Sequence, residues 1–95
     1  MTRYTVVWDE DVEAPFISDW VAGDAGTRKI LTDIANWVDT NLSEDPDQKG
    51  QPRPDLGARI LVVPVSATSA RVSVTYRVLP DDRQVRVVRM VIRGE

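Results

Sequence analysis

The chain has 95 residues, 42% hydrophobic and 28% charged, with a formal net charge of −3 and neither cysteine nor histidine. That composition describes one small domain over residues 1–95, and it excludes a disulfide framework, thiol catalysis and a Cys- or His-based metal site. No apolar run reaches the roughly 18 residues of a membrane span, and Met1-Thr2-Arg3-Tyr4 opens no signal peptide, so a cytoplasmic protein with no membrane partner and no cofactor is expected.

Tyr4-Thr5-Val6-Val7-Trp8 is rich in β-formers and predicts an opening strand. Asp9-Glu10-Asp11 ends it, with Asp11 as N-cap and Glu13 at the positive end of a helix dipole. Val12, Phe16 and Trp20 recur at i, i+4 and i+8, which predicts a short helix over 12–22 with Pro15 near its first turn. After the Gly23-Asp24-Ala25-Gly26 turn, Ile30, Leu31, Ile34, Trp37, Val38 and Leu42 predict a second helix from about Asp24 to Leu42. So short a connection makes the two a helical hairpin. Trp20 and Trp37 lie on the apolar stripes and are assigned to the core rather than to a base-stacking platform.

Ser43 to Asp55, with Pro46, Gly50, Pro52 and Pro54, has no period and reads as a loop. Ala58 to Val65 is apolar on both alternate faces, as a central strand buried on both sides would be. Arg71 to Leu79 alternates, with Val72, Val74, Tyr76 and Val78 inward. Leu79-Pro80-Asp81-Asp82-Arg83 is turn chemistry, and Val85 to Arg93 closes the domain. If Leu79 opposes Val85, then Tyr76 faces Val88, Val74 faces Met90 and Val72 faces Ile92. Arg71, Arg77, Arg89 and Arg93 then share the other face, whereas a slip of one residue would bury Arg89. The result is an α+β domain of order β-α-α-β-β-β, its helical hairpin packed on one face of an antiparallel sheet.

Charge follows this organisation. Residues 1–47 carry 11 acidic and 3 basic residues, a balance of −8, and residues 48–95 carry 4 acidic and 9 basic, a balance of +5. A basic second half points to an anionic or acidic partner on the sheet. The Asp9, Glu10, Asp11 and Glu13 cluster is ordinary capping and dipole chemistry, and Gly23 to Lys29 lacks the spacing of a phosphate loop.

The segment Val74-Thr75-Tyr76-Arg77-Val78-Leu79-Pro80-Asp81-Asp82-Arg83, followed by Val85-Arg86-Val87-Val88-Arg89, resembles the closing hairpin of the RelE/ParE superfamily of toxins. The opening strand, the helical hairpin and Leu42-Ser43-Glu44-Asp45-Pro46 fit the same pattern. The resemblance implies the toxin of a type II toxin–antitoxin module, associated with growth inhibition and plasmid stabilisation and neutralised by an antitoxin protein. Two targets stay open, mRNA on the ribosome and DNA gyrase, and a homodimer is a further form.

Arg71 stands near the family's sheet arginine, Lys49 and Arg53 lie in a loop where the family carries basic residues, and Arg93 lies near the last strand's end. With Arg77 and Arg89 these are the candidate target- or anion-binding residues. The family's nucleases carry a Tyr or His in a tail beyond the last strand. This sequence ends Ile92-Arg93-Gly94-Glu95 without His, so no catalytic residue is assigned and nuclease action stays open. The alternative is a catalytically inactive member acting as a protein-interaction module.

Overall fold

The computed structural model of the chain describes residues 3–64 and 71–93. Strand β1 (Thr5–Trp8) leads into helices α1 (Glu10–Ala22) and α2 (Ala25–Leu42). Strands β2 (Gln51–Arg53), β3 (Ala58–Val63), β4 (Arg71–Leu79) and β5 (Gln84–Arg93) follow, and the five form one sheet in the order β1-β5-β4-β3-β2. The α+β class, the helical hairpin and the long strands are those the periodicity predicts. Val65, expected at the end of β3, lies outside the described residues.

Two features of the sheet differ from expectation. β1 pairs with β5 in parallel, with Val6 opposite Val85 and Trp8 opposite Val87, so the sheet is mixed rather than antiparallel. Alternation of side chains is the same in both senses, and periodicity carries no information on strand direction. The segment read as a loop also holds β2, which pairs antiparallel to β3 between two 3-10 turns at Pro46–Gln48 and Pro54–Leu56. Three residues including Pro52 make a weak strand signal, and an edge is where such a strand is tolerated.

The core lies between α2 and the sheet. Leu31, Ile34, Val38 and Leu42 form the buried stripe of α2, and they meet Val63, Val72, Val74, Tyr76, Val85 and Val87. Each fully buried aliphatic side chain contributes roughly 1.5–3 kcal/mol of transfer free energy. Asp24 fixes the start of α2 because its carboxylate accepts the Thr27 N–H at 2.8 Å.

Helix α1 is peripheral and has no buried residue. It starts at Glu10, with Asp9 rather than Asp11 at the N-cap position, and Pro15 falls inside it. Asp9 makes no side-chain cap bond; its carboxylate instead meets Arg86 Nη1 at 3.0 Å. Val12 and Phe16 pack against the core, but Trp20 is 39% exposed, contrary to its place on the apolar stripe. The Arg28 guanidinium explains this: it lies 4.7 Å from the Trp20 ring centre and donates to the Trp20 and Val21 carbonyls, closing the end of α1. Trp37 is half-buried against the core, and Trp8 stands edge-on to Phe16 with its Nε1 donating to Asp39.

Candidate functional site

The hairpin of β4 and β5 sets the site, and its register is half as expected. Val72 opposes Ile92 and Val74 opposes Met90, but Leu79 opposes Gln84 and Tyr76 opposes Val87, with an irregularity between Thr75 and Tyr76. The turn is one residue tighter than predicted: Pro80–Asp82 forms a 3-10 turn and Arg83 adopts a left-handed φ of 48°. Carried on without interruption, that register would place Arg89 opposite Val74 and bury a cation. A one-residue bulge at Val88 absorbs the slip and returns Arg89 to the outer face opposite Thr75. The Val87-Val88 doublet, two β-branched residues where alternation demands one, is its trace in the sequence.

The bulge also turns Arg86 outward. In the straight register Arg86 would point inward; here it is exposed and opposes Arg77 across the two strands. Arg86 is thus the basic residue that sequence reasoning missed.

The face of the sheet turned away from the helices is ordered in rows. At one end Arg71 opposes Arg93; next come Val62, Ser73 and Val91; then Ile60, Thr75 and Arg89; and at the far end Arg53, Ala58, Arg77 and Arg86. Arg53, Arg77 and Arg89 line one open groove of about 770 Å³, and Arg71 and Arg93 line a second of about 430 Å³ that shares Ser73 and Val91 with the first. The structure therefore brings five of the six candidate residues onto one continuous face.

Two of the cations there are committed to carboxylates. Arg53 donates from Nε and Nη2 to both oxygens of Asp55, at 3.2 and 3.1 Å. Those hydrogen bonds hold the guanidinium pKa above its ordinary value and the Asp55 carboxyl below its own. Arg86 pairs with Asp9 at the start of α1. Arg77 makes a long contact, 3.4 Å, to the Leu56 carbonyl.

Lys49, the sixth candidate, stands apart from this group. Its Nζ donates to the Asn41 carbonyl at 2.6 Å, in the last turn of α2, so its charge caps a helix end on the opposite side of the sheet. The same region shows how the 46–53 segment is held. The buried Tyr76 Oη lies 2.8 Å from the Pro46 carbonyl and 2.7 Å from that of Lys49. Arg59 Nε donates to the Lys49 carbonyl at 2.6 Å. Burial raises the Tyr76 pKa, opposed by the nearby Arg59. This tyrosine is a structural clamp turned away from the basic face.

The outer face of β3 is also more exposed than its sequence predicts. Val62 is 68% exposed, although apolar residues on both faces of a strand predict burial on both, and Leu56, in the 3-10 turn before β3, is 46% exposed beside it. Among the described residues nothing covers that side of the sheet. No helix is long and apolar enough to cross a membrane among the described residues.

No family model matches the chain, and no curated protein matches it by sequence. Solved structures do match it in fold. One, of the chromosomal ParDE TA system from P. aeruginosa, superimposes with a TM-score of 0.72 at 20% identity, covering 98% of each chain. The toxin–antitoxin complex RelBE2 from Mycobacterium tuberculosis gives 0.62 at 17% identity, covering 100% of this chain and 97% of the other. A mutant of E. coli toxin RelE in the free state gives 0.62 at 13% identity over 94% of this chain and 82% of that one. The resemblance carried by the closing hairpin is borne out as a shared RelE/ParE fold.

Proposed function

We propose that this chain is the toxin of a type II toxin–antitoxin module, acting by binding its target through the basic outer face of the sheet. The observation that carries the reading is the gathering of Arg53, Arg71, Arg77, Arg89 and Arg93, with Arg86, on one exposed face of a RelE/ParE fold. The neighbours' own names supply the biological setting, since two are toxin–antitoxin assemblies and one is a toxin. An antitoxin is accordingly the expected partner, and the cytoplasm the expected compartment.

A binding mode of action fits the face better than hydrolysis. RNA cleavage needs a group to activate the attacking hydroxyl and another to protonate the leaving oxygen. Arginines stay protonated and do neither, and the Tyr76 hydroxyl is buried on the opposite side. Arginine forks do recognise carboxylates and phosphates by paired hydrogen bonds.

The test is inducible expression in bacteria beside the Arg71→Ala, Arg77→Ala double variant. Both side chains are exposed, so the variant folds as the wild type does. Growth arrest by the wild type and normal growth with the variant are expected. Unimpeded growth with soluble, folded wild type would overturn the toxin reading in favour of an interaction module, and a toxic double variant would remove the basic face from it.

A further inference from the structure

Charge on the helical side of the molecule is poorly balanced. Residues 1–47 hold 11 acidic and only 3 basic residues. All three of those cations are engaged: Arg3 pairs with Glu44, Lys29 with Asp33, and Arg28 lies over the Trp20 ring and donates to the end of α1. Arg86 of the sheet pairs with Asp9. Among the described residues no ion pair engages Glu13 of α1 or Asp39 of α2.

These two carboxylates line one groove of about 590 Å³ between β1, α1 and α2, with Trp8 and Phe16 in its wall and Val6 and Ile17 beside them. The two rings stand 5.1 Å apart at 68°, a corner rather than a stack. Trp8 Nε1 donates to Asp39 Oδ1 at 3.1 Å. That bond fixes the carboxylate at the aromatic wall and leaves its second oxygen without a partner among the described residues. Ile17 is exposed, so apolar surface of the groove is open to solvent.

We propose that this groove binds an aliphatic diamine or polyamine, with an ammonium at each carboxylate and the methylene chain along Val6, Ile17 and Ala35. A cation beside an aromatic ring is attracted by the negative face of the ring, and the molecule already uses this once, with Arg28 4.7 Å from the Trp20 ring centre. Carboxylates on two different helices, with apolar surface in the same groove, match a ligand whose charges are separated by methylenes, because burial of each methylene adds to affinity. A metal ion fits less well. Hard divalent ions favour several oxygen ligands converging on one point, and no cluster of three metal-ligating side chains occurs among the described residues. The volume is that of a small-molecule site, about 300–1,000 Å³. The groove lies on the helical side, away from the basic outer face, and the proposal does not rest on the toxin reading.

The experiment titrates the full isotope-labelled chain with 1,4-diaminobutane at low ionic strength, where exposed ion pairs are least screened, and follows indole and backbone N–H signals by NMR. Magnesium chloride, whose cation carries the same charge as the diamine, is the matched control. A saturable shift of the Trp8 Nε1–H and of the amides around Glu13 and Asp39 is expected, with magnesium bound at least about fivefold more weakly. A Glu13→Gln, Asp39→Asn variant, in which the Asn oxygen still accepts from Trp8, should lose at least about fivefold in affinity. A Glu10→Gln, Asp11→Asn variant removes the same charge from α1 outside the groove and should stay within about twofold of wild type. Glu13→Gln alone keeps the test valid if the first double variant misfolds, and should weaken binding about threefold. Magnesium binding as tight as that of the diamine, an equal loss in the two double variants, unchanged affinity in Glu13→Gln, or no saturable shift at Trp8 would each overturn the proposal.

Discussion

Replacing Tyr76 with Phe removes one oxygen atom and keeps the shape of the core. Its effect follows from the two carbonyls that share that hydroxyl. The Lys49 carbonyl keeps the Arg59 Nε–H at 2.6 Å. The Pro46 carbonyl keeps only the Lys49 backbone N–H at 3.4 Å, in a residue that is itself buried. One buried acceptor left nearly unpaired costs about 1–3 kcal/mol. For a domain of this size each kcal/mol lowers Tm by about 4–8 °C, so a central loss of about 2 kcal/mol corresponds to roughly 8–16 °C. Thermal unfolding followed by circular dichroism measures this. Alkaline pH supplies a second readout. Burial raises the folded-state pKa of Tyr76 above its ordinary value, so the group's contribution is complete below about pH 10 and is lost as pH rises through the folded value. The gap between wild type and Tyr76→Phe should therefore narrow at the alkaline end. Exchange of the amides around Arg53 should quicken in the variant, because Tyr76 holds the segment from which β2 starts. A Tm within about 2 °C of wild type would refute the clamp.

Two further outcomes come from the backbone. Gly50 has φ +68° and a Cβ there would stand 2.5 Å from the Ile60 carbonyl oxygen, whereas Gly57 has φ +59° and open space around it. Gly57→Ala should cost only the left-handed strain, about 1–2 kcal/mol, and Gly50→Ala clearly more, about 3 kcal/mol or above, in urea denaturation. The Asp24 carboxyl is held below its ordinary pKa chiefly by the Thr27 backbone N–H, so its contribution is present above the unfolded value of about 3.9 and lost as pH falls through the folded one. Asp24→Ala should lower Tm at neutral pH, and the difference should shrink below about pH 4.

What was legible in the sequence is what side-chain period encodes. β4 runs Arg71–Leu79 and α2 ends at Leu42 because apolar residues recur there at periods of 2 and 3.6 over many residues. The outer placement of Arg71, Arg77, Arg89 and Arg93 came from the same alternation. The direction of β1 and the strand at Gln51–Arg53 depend on long-range pairing, which no local pattern records, and the bulge left only the Val87-Val88 doublet as its local trace. Trp20 misled because a helical stripe shows which residues share a face, and the Arg28 guanidinium was available to cover that ring partly in solvent. Lys49 misled differently: its place in the loop was as read, but a helix end lay within reach of its ammonium.

The two faces of the β4–β5 hairpin divide the work of the domain between alternate residues. Val72, Val74 and Tyr76 are almost wholly buried, and each outward residue of β4 between Arg71 and Arg77 is flanked in sequence by one of them. The Cα positions of the arginines are therefore fixed by the best-packed part of the molecule, so little backbone freedom is lost when a partner docks. The bulge serves the same division. By admitting one extra residue at Val88 it keeps Val85 and Val87 in the core below it and Met90 and Ile92 inward above it. Both Arg86 and Arg89 consequently face outward. Without that residue, one register would bury Arg89 and the other Arg86. An outer face that carries both Arg86 and Arg89 and an apolar inner one are compatible on this hairpin only because the strand is irregular there.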